Sequence, residues 1–129
     1  MKKAIAVLFT VSSLSMSLYG YDQTDRIKDM QTMEIAMSEI QKGILYNNKK
    51  MVLQGVENLE KASANVEVAP KGHMDYNAVF AKKQAKNIMK YSEKIKANIK
   101  EGRKHGAVKN YTKVLNECIS CHNKIRKWN

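Results

Sequence analysis

The sequence predicts an all-α protein, folded as an antiparallel four-helix bundle. Three observations predict it. Apolar side chains recur at steps of three and four through four separate segments, the period of a helix with one buried stripe. The rest of those segments is rich in Lys, Glu, Ala and Met, which favour helix. Breakers are sparse, with one proline and six glycines in 129 residues, and no stretch alternates as a strand does. No tandem repeat or low-complexity segment interrupts the chain.

The N-terminal residues 1–20 stand outside this pattern. Met1-Lys2-Lys3 is followed by an apolar run from Ala4 to Leu18 and then by Gly20. A charged start, an apolar middle and a small residue at the end are the order of a secretory leader. The run is short for a membrane span, and an uncleaved anchor is the competing reading. Residues 1–20 are expected to be a signal peptide and 21–129 the folded domain. No cysteine lies near the cleavage zone, which argues against a lipoprotein. Export places the domain in the periplasm, with no stable membrane insertion after cleavage.

The first helix is expected from about Thr24 to Tyr46. Its stripe is Ile27, Met30, Met33, Met37, Ile40 and Ile44. Asp22, Thr24 or Asp25 can cap its start, and Asn47-Asn48 stops it. The second runs from about Lys49 to Val66, with Val52, Val56, Leu59, Ser63 and Val66 on one face. Gly55 weakens a helix interior, so it either admits a close neighbour, helix or cofactor, or is tolerated. A loop from about Glu67 to Met74, holding Pro70, Gly72 and His73, links two helical hairpins. The third helix runs from about Asp75, its candidate N-cap, to Lys100. Tyr76, Val79, Phe80, Ile88, Ser92, Ile95 and Ile99 form its inward face, and Lys82, Lys86, Lys90 and Lys94 step along a solvated one. Glu101-Gly102 breaks the pattern. The fourth helix starts between Arg103 and Ala107 and runs to about Lys127, with Val108, Tyr111, Leu115, Cys118, His122 and Ile125 inward.

That last helix carries Cys118-Ile119-Ser120-Cys121-His122. C-x-x-C-H is the attachment spacing of a c-type haem. Two thiols add to the two vinyl groups of one porphyrin edge, and the adjacent imidazole binds the iron. At about 100° per residue, Cys118, Cys121 and His122 share a face while Ile119 and Ser120 point elsewhere. The expected cofactor is haem c, covalently bound, one per chain, near the C-terminal helix. Two other readings use the same residues. A C-x-x-C disulfide suits an oxidising compartment, but it closes a very small loop, and a thioredoxin-type pair needs strand–helix alternation. A zinc site needs four ligands. Cys118, Cys121 and His122 supply three, and His73 and His105 are scattered.

Leader, four amphipathic helices and C-x-x-C-H near the end of the fourth together resemble cytochrome c′ and its low-spin relatives of the c-556 type. His122-Asn123-Lys124-Ile125-Arg126 is similar to the C-H-x-x-[aromatic]-R ending of that family, with Ile125 in place of the aromatic and Arg126 at the arginine position. Arg26-Ile27-Lys28-Asp29-Met30 is similar to its R-x-x-x-M opening. The resemblance covers the mature chain in architecture, is specific in sequence only at the C-terminal motif, and involves a chain shorter than a typical member. It implies haem held in the bundle core, a periplasmic one-electron carrier rather than an enzyme, and a possible homodimer through the first two helices.

Function then turns on the group opposite His122. A methionine there gives six-coordinate iron suited to electron transfer. An apolar residue leaves five-coordinate iron open to nitric oxide or carbon monoxide. The family motif selects Met30, and Met33 is the alternative one turn on. Met37 shares their stripe, and all three also suit a helical core, because methionine is a flexible filler. His73 and His105 are less suited ligands beside predicted loops. Tyr91 and Tyr111 can reach a cofactor edge or pack in the core. Lys124 and Arg126 are candidate partners of the haem propionates.

The formal charge of +11 falls to +9 once Lys2 and Lys3 leave with the leader. An exported protein meets little nucleic acid. The expected partners are acidic redox proteins, with anionic lipid headgroups as the other candidate.

Overall fold

Asp22 begins the first helix through a reciprocal pair of hydrogen bonds. The Asp25 N–H donates to Asp22 Oδ1 at 2.9 Å, and the Asp22 N–H donates to Asp25 Oδ2 at 3.1 Å. This capping box satisfies amide groups that have no partner inside the helix. The computed structural model describes residues 22–68 and 78–125. In them it has four helices and no strand: α1 (Gln23–Leu45), α2 (Lys49–Val68), α3 (Ala78–Lys100) and α4 (Lys104–Ile125). The expected leader, the loop with Pro70 and His73, Asp75, Tyr76, Arg126, the Ile125 side chain and Trp128 lie outside the described residues. No helix among the described residues is long and apolar enough to cross a membrane.

The asparagines at the first turn have separate tasks. Asn47 takes a left-handed conformation (φ 56°), which asparagine tolerates. Asn48 accepts the Met51 N–H on its side-chain oxygen at 3.0 Å and so starts α2. At the other turn Gly102 is left-handed (φ 73°), and the Arg103 N–H closes back on the Asn98 carbonyl at 2.8 Å.

The core runs along the middle of the bundle. Ala36, Ile40, Val52, Val56, Leu59, Ile95, Ala107 and Val114 are fully buried or nearly so. Each large aliphatic of this set contributes about 1.5–3 kcal/mol of burial. The α2 stripe is inward throughout, Val52, Val56, Leu59, Ser63 and Val66 all being buried. Gly55 is a close-approach glycine. A Cβ there would stand 2.9 Å from both the Ala36 carbonyl oxygen and Ile40 Cγ1. The neighbour it admits is therefore α1.

Polar pairs fix the register. Asn65 Nδ2 donates to Asp29 Oδ1 (3.0 Å) and Asn58 Nδ2 to Glu39 Oε2 (3.3 Å) between α1 and α2. Lys96 pairs with Glu60 at 2.8 Å between α3 and α2. Asn87 Nδ2 donates to Glu117 Oε2 at 3.2 Å between α3 and α4.

The fourth seam differs. α1 packs along α2, α2 along α3 and α3 along α4, but α1 and α4 touch only sparsely. Several residues expected to face inward are exposed. Leu115 on α4 lines the open seam, while Val108 on α4, Ile27 near the start of α1 and Val79 on the first turn of α3 are exposed away from it. Charge is divided between the hairpins. Residues 22–68 hold six Lys and Arg against eight Asp and Glu, whereas 78–125 hold twelve against three.

Candidate functional site

The open seam is an apolar slot of about 620 Å³, within the range of small-molecule and cofactor sites. α1 supplies Met30, Met33, Glu34 and Met37 to its wall. Val66 comes from α2, and Ala81, Gln84, Ala85 and Ile88 come from α3. α4 supplies Leu115, Cys118, Ile119, Cys121, His122 and Asn123. The structure thus brings the predicted motif and the predicted methionine stripe to one cavity, on opposite helices.

Along α4 the three motif groups differ in burial. Cys118 and Cys121 are half-buried free thiols, and His122 is exposed at the rim. Burial pushes the Cys118 thiol up to about 11, with the Cys121 charge adding to the effect. Burial raises Cys121 too. Ile119 was expected to point away, yet it lines the slot, because the cavity is wide enough to take residues either side of the Cys118 direction. Ser120 does point away. It is exposed and donates to the Asn116 carbonyl at 2.8 Å.

On the facing wall Met33 and Met37 are buried and Met30 is half-buried. His105 is exposed at the start of α4. Seventeen residues separate it from His122, about 25 Å along a helix, so it belongs to the other end of the bundle. Tyr91 and Tyr111 pack against the core and are not among the residues that line the slot. The Tyr111 hydroxyl is raised by burial and by the nearby Cys118. It donates to Gln41 Oε1 at 3.3 Å. Lys124 lies over the Phe80 ring, its ammonium 4.1 Å from the centroid.

Two polar residues escaped the sequence reading. Gln84 is 8% exposed within this apolar wall, and its Oε1 is buried without a partner. Asp29 is buried beside Met30, with Oδ1 held by Asn65 and Oδ2 without a partner. Each stands at a helical step from the stripe, Gln84 four before Ile88 and Asp29 four before Met33. That spacing was the available signal, and their polarity hid it.

No protein-family profile, curated protein or solved structure matches the chain.

Among the described residues no three His, Cys, Asp or Glu side chains gather closely enough to hold a bare metal ion. Two thiols and an imidazole along one rim, facing apolar and thioether side chains across a deep slot, fit a flat apolar macrocycle with a metal at its centre. The two thiols and the imidazole are the donor types a covalently bound haem would use, and Cys118, Cys121 and His122 are the residues that would hold it.

Proposed function

We propose that the chain is a periplasmic monohaem c-type cytochrome of the cytochrome c′ or c-556 kind, serving as a one-electron carrier. One observation carries the reading: Cys118, Cys121 and His122 line the same apolar slot as the Met30, Met33 and Met37 stripe.

The chain's own groups have distinct tasks. Cys118 and Cys121 would hold the haem covalently through their sulfurs. His122 would ligate its iron, with Met30, or Met33, as the second protein ligand. Val66, Ala85, Ile88 and Leu115 exclude water. Lys124, and Arg126 beyond the described residues, would pair with the propionates. When bound, the haem supplies a one-electron Fe(III)/Fe(II) couple. No substrate bond is made or broken. The twelve basic residues of 78–125 steer an acidic redox partner.

A second reading, five-coordinate iron that binds nitric oxide or carbon monoxide, is favoured by the burial of Met33 and Met37 in the core. It leaves the distal side to apolar wall residues.

The test is a pyridine haemochrome assay on protein expressed with export and haem-attachment machinery. The expected result is one covalent haem per chain, lost in Cys118→Ala/Cys121→Ala. Protein that is exported and folded but carries no covalent haem sinks the proposal. Ferric and ferrous absorption spectra then separate the two readings, since a high-spin spectrum that shifts with carbon monoxide excludes methionine ligation.

A further inference from the structure

We propose that the tip of the bundle opposite the slot, where the Tyr46–Asn48 and Glu101–Arg103 turns meet, docks on anionic phospholipid headgroups. The inference uses no residue of the slot and stands apart from the haem reading.

The tip is one platform. Lys49 Nζ donates to the Lys100 carbonyl at 3.4 Å, and Lys104 Nζ donates to Asn47 Oδ1, so side chains tie the two turns together. At its apex Leu45 is 67% exposed and Tyr46 72% exposed. The chain turns there, and neither side chain reaches the core. Around them Lys42, Lys49, Lys50, Lys100, Arg103 and Lys104 are all exposed. The acidic residue of these turns, Glu101, is paired with Arg103. An aliphatic and a phenol ringed by cations match the layers of a membrane surface. Leucine enters the acyl boundary, tyrosine sits at headgroup level, and lysine stems extend so that their ammonium groups reach phosphate. Each cation near an anionic surface adds to the attraction.

Shape selects lipid over protein. Two helix turns form a small convex knob, whereas a stable protein interface takes about 20–30 residues a side. A headgroup layer deforms around a knob. Docked this way, the domain holds Cys118 to His122 away from the surface. They lie fourteen to eighteen residues along α4 from Lys104, about 21–27 Å. The slot then stays open to partners in solution.

The test is co-sedimentation of the chain from residue 21 onward, as it stands after leader removal, with phosphatidylcholine vesicles, with and without phosphatidylglycerol, at low salt. Two tip variants remove different parts of the surface, Lys42→Glu/Lys50→Glu and Leu45→Ser/Tyr46→Ser. Lys86→Glu/Lys90→Glu, on the flank of α3, makes the same charge change elsewhere. All six positions are exposed, and circular dichroism checks that each variant stays helical. The expected result is binding that requires phosphatidylglycerol, weakens at least about tenfold in both tip variants and changes about twofold or less in the α3 variant. Equal binding to zwitterionic vesicles, or an equal loss in the α3 variant, overturns the proposal. So does unchanged binding in Leu45→Ser/Tyr46→Ser. Binding of polyglutamate at the tip with no binding of anionic vesicles assigns the surface to an acidic protein instead.

Discussion

The Tyr111 hydroxyl donates to Gln41 Oε1 across 3.3 Å and joins α4 to α1 at the edge of the open seam. The pair marks a level from which positions farther along both helices can be compared. α1 and α4 run antiparallel, and Met30 and His122 each lie eleven residues from the bonded pair. Eleven residues make about three turns. Both side chains therefore return to nearly the same face and the same height, on opposite sides of the slot. Met33 stands nearer the bond by about 4.5 Å, and Met37 comes level with Leu115.

If the proposed haem is bound, that register puts Met30 rather than Met33 opposite His122. Met30→Ala is then expected to turn the ferric spectrum from low-spin to high-spin, while Met33→Ala keeps it low-spin. The reverse pattern would transfer the role to Met33. A high-spin spectrum in the unaltered protein would support the open-iron reading.

Gly55 supports a prediction about packing. Alanine is favoured over glycine in a helix by about 1 kcal/mol. Here its methyl would meet the Ala36 carbonyl oxygen at 2.9 Å and Glu39 Cβ at 3.1 Å. Backbone cannot swing aside as a side-chain tip can, and overpacking of this kind costs about 1–3 kcal/mol. Gly55→Ala should lower the urea midpoint despite its better propensity. A rise would mean that α1 and α2 separate without cost.

These positions show what was legible. Period alone placed Val52, Val56, Leu59, Ser63 and Val66 inward, because α2 is flanked by a close neighbour on both sides. The same period on α4 chose the right face but the wrong environment. Leu115 is exposed since it meets a slot rather than a helix. Periodicity reports direction and says nothing of what stands opposite. Asp29 and Gln84 were missed for the converse reason. Both stand at a helical step from the stripe, but a polar side chain does not register in an apolar pattern, and the Asn65 amide that satisfies Asp29 comes from another helix. The placement of Cys118, Cys121 and His122 at one cavity was legible because the three groups are spaced along five residues of one helix.

Asp22 tests the start of α1. Its side chain and that of Asp25 close a capping box on exposed backbone. Asp22→Ala should cost about 1 kcal/mol, measured by urea unfolding of the full domain. The first turn of α1 lies just ahead of Met30, so amide hydrogen exchange there should also quicken. Unchanged stability and exchange would show that packing alone holds this end.

The division of charge makes a kinetic prediction. Residues 78–125 carry an excess of nine positive charges, and residues 22–68 an excess of two negative ones. On α3 and α4 the ammonium groups of Lys90, Lys94 and Lys113 lie 6.0, 5.9 and 5.3 Å from the centre of the Tyr91 ring. This concentrates positive potential on one side of the bundle. Electron transfer with an acidic redox protein, followed by stopped flow, should slow by about tenfold or more between about 0.01 M and 1 M salt, as the screening length falls from about 30 to 3 Å. Lys90→Glu/Lys94→Glu should remove most of that dependence. The same charge change on the other hairpin, Lys28→Glu/Lys61→Glu, should remove much less, because those lysines lie among carboxylates that already offset them. Equal effects from both pairs would mean that the partner senses net charge alone and that the basic face has no directing role.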